Sequence, residues 1–217
     1  MNLIIIGTGA AAAELTVFIN DSQKINKTEL KIKGYLDLES SKKKFWKKYS
    51  LVAPFLGSPE NYKFNNKEKY IISISDTIIR NKIITFLKSK KIKLANFIHH
   101  TAIVAKTAKI GSGNIIYPYC LIGPKAKIGS FNFLNSSVAI GHDSKVGDNN
   151  IFSPNCCIAG HSEIGQSNFF GLNSAVIPSK KIGNKNKIQA GMIVNKDLKN
   201  NEVIFHRFKE KITIITK

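Results

Sequence analysis

The sequence predicts two units in series: an α/β domain with a small Rossmann-like parallel sheet over residues 1–95, then an all-β parallel β-helix of hexapeptide repeats over residues 96–217, closing in a short C-terminal segment. Three observations predict it. An apolar residue recurs every sixth position through the second half. Gly and Asn recur every eighteenth position in the same stretch. The first half opens on an apolar run, a Gly-x-Gly turn and a helix-forming segment, which is the start of a βαβ unit.

In chain order, Leu3 to Ile6 reads as a buried strand ending in Gly7-Thr8-Gly9, and Ala10 to Ile19 holds strong helix formers. Gly34 to Asp37 reads as the end of a second strand and Tyr70 to Ile74 as a third. Asp76 to Lys88 reads as a helix with Ile79, Ile83, Ile84 and Leu87 on its apolar face. The turn after the first strand offers backbone N–H groups and a helix N-terminus to an anionic group. A nucleotide-sugar or other phosphoryl ligand, a purely structural turn and a nicotinamide cofactor all remain open there. The dinucleotide fingerprint is incomplete, because Ala12 stands where its third Gly would be and Asp37 follows about 30 residues on instead of about 20. Ser40 to Ser50 interleaves Lys with Phe45, Trp46 and Tyr49, and reads as an exposed connection whose Trp46 covers the sheet edge.

The repeat begins at Ile98. Every sixth residue from there is Ile98, Val104, Ile110, Ile116, Ile122, Ile128, Leu134, Ile140, Val146, Phe152, Ile158, Ile164, Phe170, Val176, Ile182, Ile188 and Val194, all apolar without a slip. With about half of positions apolar by chance, such a run arises about once in 10⁵ trials. Gly111, Gly129, Gly147, Gly165 and Gly183 then recur with Asn114, Asn132, Asn150, Asn168 and Asn186. Three hexads therefore make one coil. Gly and Asn are expected at its corners because both tolerate positive φ, and stacked Asn side chains can bond along the axis. At about 4.8 Å per coil, roughly five and a half coils span about 25 Å. Cys120 and Cys156 fall at small corner sites and read as core residues, not nucleophiles.

Net charge is +19, and all but Arg80 and Arg207 of the 33 basic residues are Lys, scattered among Asn and Ile. That composition reads as a solvated Lys surface, because base readout leans on Arg; no nucleic-acid partner is expected. The apolar runs are too short for membrane insertion, and the N-terminus carries no signal-peptide pattern, so a cytoplasmic protein is expected. Three cysteines without metal-ligand spacing read as free thiols, and no metal site is expected.

Two histidines stand on the repeat. His142 follows the inward Ile140 by two places and should face outward, with Asp143 beside it to fix its tautomer and raise its basicity. His161 lies 18 residues after Asp143, one coil on, as a rival base or a second ligand-binding residue. His99, His100 and His206 lie at the ends of the repeat and read as surface or packing residues.

With these motifs the chain resembles hexapeptide-repeat, left-handed β-helix sugar acetyltransferases of the NeuD/PglD type, which carry a Rossmann-like N-terminal domain. The resemblance runs through Leu3 to Gly9, Gly34 to Asp37, Ile71 to Asp76, the hexads and Gly141-His142-Asp143. It implies acetyl-CoA as co-substrate, a homotrimer, and His142 with Asp143 as the catalytic pair, assisted by Asn135. It implies a CoA site near Ile151, Ala159, Gly160, His161, Leu172 and Ala190. A UDP-, GDP- or dTDP-linked amino sugar would bind at Gly9, Ala10, Ala11, Asp37, Leu38, Ser75 and Asp76. The expected reaction is N-acetylation by direct transfer, in bacterial surface glycan biosynthesis. Sugar O-acetylation and a non-catalytic trimeric scaffold are the alternatives. The chain departs from the pattern at Ala10-Ala11-Ala12, where relatives often carry Gly and His. It departs again at Val203-Ile204-Phe205-His206-Arg207-Phe208-Lys209, where many end in Gly-x-Pro-Ala-Lys.

Overall fold

The computed structural model describes residues 2–26 and 31–206, so Arg207, Phe208 and Lys209 of the C-terminal departure lie outside the described residues. The first unit contains β1 (Asn2–Ile6), α1 (Ala10–Asn26), β2 (Lys31–Leu36), the short α2 (Glu39–Ser41), β3 (Glu68–Ile72) and α3 (Thr77–Ser89). Its three strands form a parallel sheet in the order β2-β1-β3. Gly7 is required where β1 turns toward α1. Its φ is +115°, and a Cβ there would stand 2.6 Å from the Ser73 carbonyl oxygen. Ala12 is fully buried, so a methyl group suffices where the dinucleotide fingerprint uses its third Gly.

The face predicted for the last helix of this unit is corrected. Arg80, Ile84 and Leu87 are the buried residues of α3, whereas Ile79 is 53% exposed. Trp46 behaves as expected: its indole N–H donates to the Ala53 carbonyl at 2.9 Å, and its ring packs on the core beside the edge strand.

From Phe97 on, two-residue strands wind into a parallel β-solenoid of about six turns, with seven-, six- and five-stranded flats. Partners lie 18 residues apart throughout the regular coils, as in Phe133 with Ile151 and Ala139 with Cys157. The hexad register holds. From Ile116 to Val194 every inward residue is buried, while Ile98, Val104 and Ile110, at the open first coil, are only partly covered. Stacked Phe152 and Phe170, with ring centroids 4.8 Å apart, show the coil rise. Beyond Val194 a shortened coil continues the stack: Val203 pairs with Lys187, 16 residues back, and Leu198 bridges to Ile182.

The corners are built differently from the expectation. Positive φ falls three places after each inward residue, at every sixth residue from Tyr119 to Lys185, Asp143 and His161 included. The N–H there donates to the preceding coil, as from His161 to the His142 carbonyl at 3.0 Å. The recurrent Gly serves close stacking instead: a Cβ on Gly147 would lie 2.7 Å from the Gly165 carbonyl oxygen of the next coil. The recurrent Asn residues form a buried ladder. Each Oδ1 accepts the backbone N–H of the next Asn, from Asn114 on Asn96 to Asn186 on Asn168, at 2.7–2.9 Å. Side-chain to side-chain bonds, as expected, also join Asn150 to Asn132 at 3.1 Å and Asn168 to Asn150 at 3.0 Å. This supplies partners to groups that would otherwise be orphaned in the core.

Each flat has its own outer surface. Phe97, Ile115, Phe133 and Ile151 on the seven-stranded flat share a core with Leu3, Ile5, Ala12, Leu15 and Tyr35, which joins the two units. Arg80 ties them from the other side of the sheet. Fully buried, it donates to the carbonyls of Ile72 at 3.0 Å, Ile74 at 3.1 Å and Phe131 at 2.9 Å. On the five-stranded flat four lysines distant in sequence, Lys109, Lys127, Lys145 and Lys181, stand in one column with Glu163, which is bonded to Lys145. No described helix is long and apolar enough to cross a membrane.

Candidate functional site

His142 sits at a corner of the solenoid, two places past the buried Ile140, and its side chain is 57% exposed. The left-handed turn at Asp143 (φ 57°) brings the two consecutive side chains together, with His142 Nδ1 3.0 Å from Asp143 Oδ2. With the proton on Nδ1 facing the carboxylate, the Nε2 lone pair is free to accept a proton. The hydrogen bond from His142 holds the Asp143 carboxyl below its ordinary range. The imidazole lies over Gly160 of the next coil. A Cβ there would meet Nε2 at 2.7 Å and Cε1 at 2.8 Å, so only glycine leaves the ring its place.

His161 joins the pair. Its ring stands edge-on to that of His142 with centroids 4.9 Å apart, and ligand atoms of His142, Asp143 and His161 all lie within 4.8 Å of one another. Stacking of coils, which the spacing of 18 between Asp143 and His161 implies, and not sequence proximity, assembles this group. The Gly160 N–H beside His142 has no hydrogen-bond acceptor among the described residues.

The other residues implied for the solenoid are not gathered at this corner within one chain. Ala159 is next to Gly160, but Leu172 and Ala190 follow Phe170 and Ile188 by two places, on the corner after the seven-stranded flat. Asn135 turns its Oδ1 onto the Ser136 N–H at 2.7 Å and has no hydrogen bond to His142 among the described residues. Ile151 does not fit the expected CoA contact in this chain: it is 3% exposed, buried in the layer beneath the first unit.

In the first unit the seven expected residues converge. Gly9, Ala10, Ala11, Asp37, Leu38, Ser75 and Asp76 all line one cavity of about 480 Å³. The N–H groups of Gly9, Ala10 and Ala11, at the start of α1, have no partner among the described residues. Asp37 shapes the turn: its Oδ2 accepts the Thr8 N–H at 2.9 Å and hydroxyl at 2.7 Å, and its Oδ1 the Leu38 N–H. Asp76 caps α3 through the N–H groups of Ile78 and Ile79. Sequence reading missed Phe45, Glu60 and Lys82 on the cavity wall, and buried Ser73, whose hydroxyl has no partner among the described residues. Only the parallel order of β1 and β3 brings Ser73 beside Gly7.

Cys120 and Cys156 take the expected core places, while Cys157 is exposed. Burial pushes the Cys120 thiol up to about 11 and raises that of Cys156, which disfavours thiolate in both.

No protein-family model matches the chain, and no curated protein matches it. Solved structures do. PerB from Caulobacter crescentus, in complex with CoA and GDP-perosamine, is 21% identical with a TM-score of 0.77, over 94% of this chain and 93% of that one. The acetyltransferase domain of PglB from Neisseria gonorrhoeae FA1090 is 18% identical with a TM-score of 0.77, over 91% and 92%. WeeI from Acinetobacter baumannii AYE is 16% identical with a TM-score of 0.70, over 94% and 96%. At these identities the likeness is one of fold, and the chain shares across nearly its whole length the architecture of PerB and of the PglB acetyltransferase domain.

Proposed function

We propose that the protein is an acetyl-CoA-dependent N-acetyltransferase acting on the amino group of a nucleotide-linked amino sugar, of the hexapeptide-repeat left-handed β-helix class, in the cytoplasm and in surface glycan biosynthesis. The observation that carries the reading is the His142–Asp143 pair lying over Gly160 on the solenoid, in a fold shared with structures that hold CoA and GDP-perosamine. Acetyl-CoA supplies an acyl thioester. His142 Nε2 takes the proton of the sugar amine as its nitrogen attacks the thioester carbonyl, and the imidazolium is stabilised by Asp143; the C–S bond then breaks, and the departing CoA thiolate takes the proton from the imidazolium, giving the N-acetyl sugar and free CoA. The free Gly160 N–H, one coil beyond the base, suits the negative charge that develops on the carbonyl oxygen. The cavity of the first unit supports an anionic acceptor, because the start of α1, where the N–H groups of Gly9, Ala10 and Ala11 have no partner among the described residues, lines it.

A homotrimer belongs to the same reading. The six-stranded flat has no cover in the described chain and exposes Ile103, Leu121 and Ile193 at 66%, 45% and 64%. Such a strip is suited to packing against a second prism. A neighbouring copy could also set its Leu172 and Ala190 corner across from His142.

The test is acetyl-CoA-dependent thiol release over UDP-, GDP- and dTDP-linked amino sugars. We expect turnover with one of them and a loss of about 10²–10⁴-fold in kcat for His142→Ala. Retention of most turnover would remove His142 as the base. Reaction of a hydroxyl analogue in place of the amine would make the enzyme an O-acetyltransferase.

A further inference from the structure

We infer that His142, Asp143 and His161 form a binding site for a borderline divalent transition-metal ion, with Zn²⁺ the best match to their donors. The three side chains offer ligand atoms within 4.8 Å of one another. Two imidazoles and a carboxylate are a donor set that Zn²⁺ takes at about 2.0–2.2 Å, with water as a fourth ligand. Ligand atoms around such a tetrahedron stand about 3.4 Å apart, as those bond lengths require, so small side-chain rotations close the site. The frame beneath is already set. Asp143 and His161 occupy left-handed turns on successive coils, and the His161 N–H is bonded to the His142 carbonyl. Both rings are at the surface, so an ion reaches them without opening the core.

A second group, Asp21 with His99 and His100, has comparable spacing but is committed elsewhere. His99 is buried with Nδ1 on the Thr101 hydroxyl at 2.8 Å, and His100 Nδ1 lies 3.2 Å from the Ser22 hydroxyl. In the His142 group, Asp143 alone among the described residues holds a ring nitrogen, and it is itself a ligand. A metal bond to His142 occupies the lone pair that would receive the acceptor's proton. The ion would therefore act as a reversible inhibitor. That consequence rests on the function proposed above, whereas the binding does not.

The experiment uses the full chain after EDTA treatment, in buffer free of thiols. Zn²⁺ alone is titrated by calorimetry and Co²⁺ alone by visible absorption. One ion per chain with micromolar affinity is expected, with the strong visible band of tetrahedral Co²⁺. His142→Gln and His161→Gln should each weaken Zn²⁺ at least tenfold, and Cys157→Ser, at the exposed thiol, should leave it unchanged. Absence of binding at about 100 μM Zn²⁺, or equal affinity in His142→Gln, would overturn the site. Acetyl transfer measured with and without Zn²⁺ separates the two readings. Stoichiometric binding with undiminished turnover leaves the site standing and removes His142 as the base.

Discussion

Replacing Gly160 by Ala tests how the candidate base is held. The new Cβ would stand 2.7 Å from His142 Nε2, 2.8 Å from Cε1 and 3.1 Å from Cδ2. Ordinary contact lies near about 3.5 Å, so the ring must retreat by about 0.7–0.8 Å. It can do so by rotating, because the side chain is 57% exposed. The strain of a displaced rotamer is about 0.5–1.5 kcal/mol, which lowers Tm by only a few degrees in a chain of this size. The effect on catalysis is larger. A base misplaced by about 1 Å loses on the order of 10²-fold in rate, equivalent to about 2.7 kcal/mol of barrier. Thiol-release kinetics and a thermal melt of the same preparation read both quantities. The expected outcome is near-native Tm with kcat down about a hundredfold. Activity within about threefold of the parent would refute the claim that the ring must lie over residue 160. Gly141→Ala is the contrast. Its Cβ would meet the backbone at Gly160 N, 2.5 Å, and Ala159 C, 2.8 Å. Backbone cannot rotate away, so this variant should lose stability first.

The Asn ladder should be worth most in its middle. Asn150→Ala removes bonds from Nδ2 to Gly165 O and Asn132 Oδ1, and strands the Asn168 N–H; a loss of about 3 kcal/mol in chemical denaturation is expected. Asn200→Ala, at the exposed end of the neighbouring Asn184 column, should cost under about 1 kcal/mol. Arg80→Met removes three bonds to buried carbonyls and should cost about 3–4 kcal/mol, seen as a Tm fall on the order of 10 °C. Burial lowers Arg80 to about 10, which still leaves it charged at neutral pH. Burial, with His100 adding, lowers His99 below its ordinary 6.5, against the opposing effect of Asp21. The folded state therefore binds its proton less readily than the unfolded chain. Stability should be full above pH 6.5 and decline as pH falls through the lowered value. Denaturation midpoints measured against pH should show that decline, and His99→Gln should flatten it.

Much of the fold was legible because a solenoid repeats its own environment. Each hexad site meets the same neighbours one coil away, so an unbroken apolar series from Ile98 to Val194 specified register and coil length together. The turn chemistry was less legible. Gly and Asn suggested positive φ by type, but the left-handed residues include Tyr119, Lys125 and Phe131. Repeated backbone bonds between coils impose that conformation, overriding residue preference. Gly and Asn answer to stacking distance and buried hydrogen bonds instead. On α3 the apolar period pointed to Ile79, but the buried position went to Arg80, whose partners come from β3, the loop between β3 and α3, and the solenoid corner at Phe131.

The sequence by itself determined the coil, the βαβ start and the His142–Asp143 pair, all of which rest on local order: period, strand ends, or immediate neighbours. The seven residues that meet in the N-terminal cavity came from the family resemblance. Only the tertiary structure decided which flat the first unit covers, why residue 160 is glycine, how closely the His161 ring meets that of His142, and that Ile151 is buried. Those facts depend on residues 18 positions apart becoming neighbours, or on the two units meeting. Contacts of that kind are set by packing and coil-to-coil hydrogen bonds, which no short stretch of chain records.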